Sequence, residues 1–290
     1  MNIGIIGSGG REHSICKSLL KSNKIKKLFC FPGNGGTSEI ATNVPLDLTN
    51  FEEIKNFIFK KKIDLVIVGP EKPLVDGIVD YLQKFNIKVF GPNSDAAKLE
   101  GSKIFTKQIC KEYNIPTANF GIFKNKIDAK KFTENSKYPL VIKADNLASG
   151  KGVYICNNFS ESKLAINEIF EGKFGNADNL LIEEFLDGEE MSYFVVSDGK
   201  NLKFFQTAQD HKRVSEGDKG KNTGGMGAYS PSRLINDELE KKILDRIIKP
   251  TIAALLDRGI KYNGFLYAGL MIIKNEPYLI EYNVRMGDPE

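Results

Sequence analysis

Leu279-Ile280-Glu281-Tyr282-Asn283-Val284-Arg285 carries the sharpest chemical signal in the chain. Read as a strand, its alternation puts Glu281, Asn283 and Arg285 on one face, with Ile280, Tyr282 and Val284 packed behind them. A carboxylate beside an amide oxygen is a pair of hard ligands suited to Mg²⁺. An arginine two residues further on can neutralise the charge of a phosphoryl or acyl transition state. A strand edge facing water is the plain alternative, and it fits poorly with so apolar a flanking run.

Other segments suggest anion and nucleotide chemistry. Lys143 ends the apolar run Val141-Ile142-Lys143 and is followed by Ala144-Asp145-Asn146-Leu147-Ala148-Ser149-Gly150-Lys151-Gly152. A lysine at a strand end offers a point charge to a polyphosphate, and a loop of small residues lets backbone amides fold over it. That loop has little apolar surface to hold it, so residues 145 to 152 are expected to move until a polyphosphate arrives. Glu183-Glu184-Phe185-Leu186-Asp187-Gly188-Glu189-Glu190 ends a strand in acids that could meet a purine edge and ribose hydroxyls, or could simply be a solvated turn. Asp210-His211-Lys212-Arg213 and Asn222-Thr223-Gly224-Gly225-Met226-Gly227 set dense charge beside a glycine loop. Gly7-Ser8-Gly9-Gly10-Arg11-Glu12-His13 follows a strand and opens a helix, which suits a phosphate or merely a tight turn. Its third fingerprint glycine would be Glu12, and Pro32 ends the second strand where a ribose-binding acid belongs. A sugar phosphate therefore fits better than a dinucleotide. There is no G-x-x-x-x-G-K-[ST], H-R-D or D-F-G motif, and no recognisable Ser-His-Asp or Cys-His arrangement.

Positioning these residues requires an α/β framework. Strands at 2–6, 27–31, 63–68 and 87–90 alternate with helices at 11–22, 50–60 and 74–85, the grammar of a parallel sheet covered on both faces. Gly7 to Gly10, Pro32 to Thr37 and Gly69 to Glu71 would then converge at the carboxyl ends of its strands. After Gly91-Pro92 the pattern changes. Helices at about 94–113 lead into strands 118–123, 139–143, 152–156 and 180–185 with helices 126–136 and 160–170. Strands 191–197 and 201–207 then precede the glycine loop, a helix at 236–258 and strands 264–273 and 277–282.

The 290 residues are enough for two domains. Lys and Arg number 41 against 37 Asp and Glu, a net charge of +4, which does not single out nucleic acid. The apolar stretch Phe265 to Ile273 falls far short of the ~18 to 20 residues of a membrane span. Met1 leads straight into a strand rather than a secretory signal, so a cytoplasmic protein is expected. Four cysteines without a C-x-x-C pair argue against zinc and disulfides.

Taken in order, these motifs resemble the ATP-grasp superfamily, and the whole chain is similar to its glycinamide ribonucleotide synthetase (phosphoribosylamine-glycine ligase) family. The segments that carry the resemblance are Gly7 to His13, Pro32-Gly33-Asn34, Val68-Gly69-Pro70-Glu71, Leu99-Glu100-Gly101-Ser102-Lys103, Ile142 to Asp145, Glu183 to Glu190, Gln209 to Arg213, Asn222 to Pro231 and Asn283 to Glu290. The resemblance implies a Rossmann-like, pre-ATP-grasp amino-terminal substrate domain over 1–100. It implies an α+β ATP-grasp domain over 101–290, with a mobile lid subdomain over about 118–189. The implied reaction joins glycine to 5-phosphoribosylamine through a glycyl phosphate, giving glycinamide ribonucleotide, ADP and phosphate.

By position, Lys103, Lys143, Gly150 and Gly152 would meet the ATP phosphates. Glu183, Glu184, Phe185 and Leu186 would hold the adenine and Glu190 the ribose, with Arg213 and Asn222 near the phosphates. Glu281 and Asn283 would hold Mg²⁺ or Mn²⁺. Arg285, Asp210 and the amides of Gly224 and Gly225 would lie at the reacting carboxyl and amine, and Gly9, Gly10, Asn34 and Glu71 at the sugar phosphate. Strand 264–273 carries no acid where many ATP-grasp enzymes place a first metal carboxylate, which leaves a second metal site open. The alternatives are another ATP-grasp carboxylate-amine ligase or carboxylase, or a nucleotide-binding chain without turnover. Relatives continue past Gly287-Asp288-Pro289-Glu290 into a further domain, so these residues are expected to bind nucleotide but to be weak as a ligase.

Overall fold

The computed structural model describes residues 1–145, 152–175, 178–211, 213–216, 219–223 and 226–288, with backbone alone at 213 and 219–222. Strands β1 (Asn2–Gly7), β2 (Lys27–Pro32), β3 (Thr42–Asn43), β4 (Leu65–Val68) and β5 (Val89–Phe90) form a parallel sheet in the order β3-β2-β1-β4-β5. Helices α1 (Gly10–Leu19), α2 (Gly35–Ser38), α3 (Phe51–Lys61), α4 (Glu71–Val75) and α5 (Ile78–Gln83) connect them. The β-branched runs of β1 and β4 suit strands covered on both faces. Chain order reverses between β1 and β4, which opens a crevice at their carboxyl ends. The helix expected over 74–85 is broken at Gly77, whose φ of 88° places it in the left-handed region.

Next come α6 (Ser94–Gly101) and α7 (Lys103–Glu112), which fill the stretch over about 94–113 where helices were expected. Ser102 separates them in an extended conformation, and its Oγ accepts from Phe105 N at 3.1 Å to cap α7. A small unit follows: β6 (Phe120–Phe123), α8 (Lys126–Glu134), β7 (Leu140–Ala144), β8 (Val153–Cys156), α9 (Phe159–Phe170) and β9 (Leu180–Glu184). Its antiparallel sheet runs β6-β9-β7-β8, and the two helices pack on it around a separate core that includes Ala129, Ile142, Ala165, Ile166 and Ile182.

The remainder holds β10 (Glu189–Asp198), β11 (Leu202–Asp210), β12 (Arg213–Ser215), β13 (Lys219–Asn222) and β14 (Ala228–Tyr229). It continues through α10 (Asp237–Ile243), a π-helical turn (Leu244–Ile248), α11 (Lys249–Asp257), β15 (Asn263–Ile273) and β16 (Glu276–Asn283). The large sheet is ordered β14-β11-β10-β15-β16, and β12 and β13 pair as a separate hairpin. The largest core cluster runs without a break from Ile6, Phe31 and Val66 through Leu74 and Ile109 to Tyr193, Leu266 and Tyr282. Asparagine N-caps α2, α3, α6, α8, α9 and α10, which gives the asparagine-rich composition a structural use. No helix among the described residues is long and apolar enough to cross a membrane.

One pattern differs from strict alternation. In the β15–β16 pairing Gly269 faces Glu281 while Leu270 faces Leu279, so Ile280 is an extra, bulged residue. Leu279, Tyr282 and Val284 are the buried residues, and Ile280 is only partly covered. Glu281 and Asn283 keep a common face by alternation, and the bulge sets the phase of that face relative to Leu279.

Candidate active site

Arg285, just past β16, gathers groups from distant parts of the chain. Its Nη2 donates to Glu100 Oε1 at 2.9 Å and to Asn283 Oδ1 at 3.2 Å, its Nε to Glu71 Oε2 at 3.2 Å, and its Nη1 to Met286 O at 3.2 Å. Glu71 opens α4 at the crevice of the parallel sheet, and Glu100 lies at the end of α6. The guanidinium is therefore the physical link between that crevice and the face of β16. Glu100 also accepts from Val284 N at 2.8 Å. Burial pushes the Glu100 carboxyl up to about 7, aided by Glu71 and Glu281, against the opposing pull of Arg285 and Val284 N–H. Glu281 and Asn283 supply hard oxygen donors, Glu281 opposite Gly269, which has no side chain to crowd it, and Asn283 opposite Tyr267. Among the described residues no three His, Cys, Asp or Glu side chains form a metal cage. The pair fits an ion such as Mg²⁺ whose remaining ligands come from water and substrate phosphates.

A cationic cluster faces Glu281. Lys103 opens α7, Lys107 lies one turn on, and Lys143 projects from β7. Glu183, from β9, bridges the last two: one carboxylate oxygen pairs with Lys107 and the other with Lys143 Nζ at 2.5 Å. All three side chains are at most 8% exposed. Burial alone would raise the Glu183 carboxyl, but Lys143 and Lys107 outweigh it and hold it below the ordinary carboxylate range. Burial likewise disfavours the Lys143 charge, yet Glu183, Glu281 and Glu190 keep its pKa above the ordinary lysine value. Lys103 is pushed down by burial, which Glu281, Asp145 and Glu183 oppose. Asp145, at the end of β7, accepts from Ile104 N and from Ser102 Oγ, each at 3.1 Å, and so joins the small unit to the first turn of α7.

At the crevice, the loop after β1 is largely satisfied from within. Glu12 is fully buried; it accepts from Gly9 N at 2.5 Å and from Arg11 Nε at 2.6 Å. A Cβ at Gly69 would collide with this carboxylate, so that glycine is a steric requirement. Glu12 thus occupies space that a dinucleotide fingerprint would keep open. Asn34 donates from Nδ2 to Ser8 O and Gly9 O at 2.9 and 3.0 Å, tying the first two loops together. The Asp288 carboxylate lies against Gly9 and Gly10 at the amino end of α1, where an anion was expected.

The structure brings Lys103, Lys143, Glu183, Glu281 and Glu190 into one electrostatic neighbourhood, and Arg285, Asn283 and Glu71 into one hydrogen-bonded group. Gly9, Gly10 and Asn34 share the crevice. The Glu183 carboxylate is used by two lysines rather than presented to an adenine edge. Glu184 instead accepts from Asn119 N and Nδ2, at 2.9 and 3.0 Å. Phe185 and Leu186 are half-buried in the link to β10, and Glu190 is exposed near the start of that strand. Asp210 ends β11, so β10 and β15 lie between it and β16. Gly152 closes its loop by accepting from Ala144 N at 2.9 Å. Arg213 and Asn222 pair across the β12–β13 hairpin. Gly150, Gly224, Gly225 and the bulk of the mobile loop expected over 145–152 lie outside the described residues. The sequence reading assigned no role to Lys107, Glu100, Glu12, Asp145 or Asp288. Only Lys107 left a usable signal, a lysine within the apolar stripe Ile104–Lys107–Cys110 of an amphipathic helix.

Comparison with known proteins adds a family. Residues 1–100 match the model of the phosphoribosylglycinamide synthetase N domain, and residues 101–290 that of its ATP-grasp (A) domain. A phosphoribosylamine–glycine ligase of Mesorhizobium japonicum is 49% identical over 291 residues, spanning all of this chain and 68% of that protein. One of Chlorobaculum tepidum is 45% identical over 100% of this chain and 70% of its own length. The crystal structure of phosphoribosylamine–glycine ligase from Thermotoga maritima superposes with a TM-score of 0.86 at 34% identity, covering 100% of this chain and 70% of that one.

Proposed function

The chain belongs to the phosphoribosylglycinamide synthetase family, and on that premise we propose how its residues divide the work of an ATP-dependent ligase of purine biosynthesis. The acid substrate is glycine and the amine is 5-phosphoribosylamine. A glycine carboxylate oxygen attacks the γ-phosphorus of ATP, the bond to ADP breaks, and glycyl phosphate forms. The amine nitrogen then attacks the acyl carbon, phosphate leaves, and the amine gives up a proton, leaving glycinamide ribonucleotide. A carboxylate is too poor an electrophile without the first step. Both steps depend on positioning and charge neutralisation rather than on a protein nucleophile.

Lys103 and Lys143 hold the ATP phosphates, with the Gly150–Gly152 loop, Arg213 and Asn222 beside them. The Glu184–Leu186 segment flanks the adenine and Glu190 meets the ribose. Glu281 and Asn283 would hold Mg²⁺ or Mn²⁺, which supplies charge neutralisation on the phosphate oxygens when bound. Arg285 stabilises the negative charge that develops at the reacting carboxyl. Asp210, with the Gly224 and Gly225 amides, serves the incoming amine, and Gly9, Gly10, Asn34 and Glu71 line the sugar-phosphate crevice. We read residues 1–100 as the substrate domain, 101–290 as the ATP-grasp domain and about 118–189 as its lid, in a cytoplasmic enzyme.

The observation that carries this reading is Arg285, which bonds Glu71 at the crevice while standing two residues from Asn283. That arrangement supports transfer of the acyl group of glycyl phosphate, formed beside the nucleotide, to an amine held by the other sheet. The test is ADP release and product mass with ATP, Mg²⁺, glycine and phosphoribosylamine. Glycinamide ribonucleotide must form in equal amount to ADP and only when glycine is present. ADP release that follows bicarbonate instead of glycine would overturn the assignment in favour of a carboxylase.

A further inference from the structure

Lys107 has no part in the chemistry above, yet it is one of the least exposed charges in the chain, at 2%. It sits four residues after Lys103, on the same side of α7. Its ammonium pairs with Glu183 and donates to Thr117 Oγ1, whose hydroxyl donates to Leu279 O at 2.6 Å. The ring of Phe120 lies 5.6 Å from Nζ. These contacts join α7, β9 and β16 at one point. Lys107 therefore lies behind Glu183, while Lys143 holds the other carboxylate oxygen.

Glu183 is shared between two lysines rather than paired with one. Within this triad two ammoniums share one carboxylate, and Glu281 and Glu190 are the further acids near Lys143. A lone Lys143–Glu183 pair would be neutral, and Lys143 could reach a phosphate only by abandoning a buried carboxylate. Stripping one partner from a buried ion pair is among the more costly changes a protein interior can undergo. With Lys107 behind it, Glu183 stays paired whether or not Lys143 moves.

We propose that Lys107 is a positioning residue for ATP: by holding Glu183, it leaves the charge of Lys143 available to the polyphosphate, without itself touching the nucleotide. This rests on the reading of Lys143 as a phosphate ligand given above. No feature of the motif around Lys143 reveals it, because the partner lies on a helix that precedes the lid.

The test is direct binding of a non-hydrolysable ATP analogue with Mg²⁺, by calorimetry, to the full chain and to Lys143→Met, Lys107→Met and Lys107→Met/Glu183→Gln. Lys143→Met is the control. If it binds as tightly as the native chain, the phosphate role of Lys143 is wrong and the inference falls with its premise. If Lys143→Met is weak, Lys107→Met should lose at least tenfold in affinity, because Glu183 now holds Lys143 alone. The double variant should regain most of that loss, because no carboxylate remains to hold Lys143. Native-like binding by Lys107→Met, or a double variant as weak as the single one, overturns the proposal while leaving Lys143 in place. Should Lys107→Met not fold, Lys107→Gln compared with Lys107→Gln/Glu183→Gln decides. A loss of at least tenfold in Lys107→Gln that the double variant recovers supports the idea, and equal affinities of the two overturn it.

Discussion

Arg285 is held by two carboxylates of unequal character. Glu71 lies at the crevice mouth, whereas Glu100 is almost wholly enclosed and faces Arg285, Glu71, Glu281 and the phenol of Tyr262. Its pKa, raised from an ordinary 4.5 to about 7, links stability to pH. The folded state binds the Glu100 proton more tightly than the unfolded chain does. This contribution is therefore complete below about pH 4.5 and is lost as pH rises through about 7. We expect Glu100→Gln to flatten the decline in unfolding free energy over that interval, a difference of roughly 3 kcal/mol at most; urea titrations at closely spaced pH values would measure it. An unchanged slope would show that Glu100 is ionised throughout. At Glu281 the expectation concerns turnover. Glu281→Gln keeps the size of the side chain but removes an anionic ligand and should lower kcat by about 10²-fold. Initial rates over a range of Mg²⁺ concentrations would reveal a variant that keeps native metal dependence, which would remove Glu281 from the metal site.

Among the elements, α7 shows how a helix start can serve a site. Ser102 caps it, Asp145 just past β7 accepts from Ile104 N, and Lys103 is its first residue. A carboxylate at a helix amino end is favoured by the exposed N–H groups and the helix dipole. Asp145→Ala should therefore cost about 1–2 kcal/mol of stability, read as a lower urea midpoint with unchanged slope. It should also weaken ATP-analogue binding, because the strand that carries Lys143 and the helix that carries Lys103 lose their shared clasp. A variant of native stability would mean that Ser102 alone suffices as the cap. The bulge at Ile280 works in a comparable way, since it resets the phase of β16 so that Glu281 faces the lysines and Asn283 meets Arg285 while Leu279 and Tyr282 stay in the core.

In the whole molecule, three sheets contribute to one site: the parallel sheet its crevice, the small four-stranded sheet Lys143 and Glu183, and the large sheet Glu281 and Asn283. Ligand binding should therefore stabilise the chain as a whole. An ATP analogue with Mg²⁺ at a hundred times its Kd should add about 2.7 kcal/mol and raise Tm by several degrees. The rise should shrink in Lys143→Met. Thermal scans across nucleotide concentrations would measure it, and a Tm independent of nucleotide would mean that the buried lysines bind no polyphosphate.

The alternation of β-branched runs with amphipathic stretches determined the parallel sheet, and the glycine loops at strand ends located its crevice, because both follow from local periodicity and backbone sterics. The polar triplet Glu281, Asn283, Arg285 was legible for the same reason: a strand has only two faces. Boundaries that depend on one residue's conformation, such as the breaks at Gly77 and Ser102 and the bulge at Ile280, emerged only with their tertiary neighbours. So did every charge partner that matters here. Glu183 reads locally as an acid at the end of a strand, free to meet a purine. It becomes the counter-ion of Lys107 and Lys143 only when α7, β7 and β9 come together. Glu100 reads as one more polar residue on a short helix, and its proton affinity is set by burial against Val284 and Arg285, some 184 and 185 residues away along the chain. Local sequence can state which groups are ionisable, but the dielectric around them and the charge they face are properties of packing.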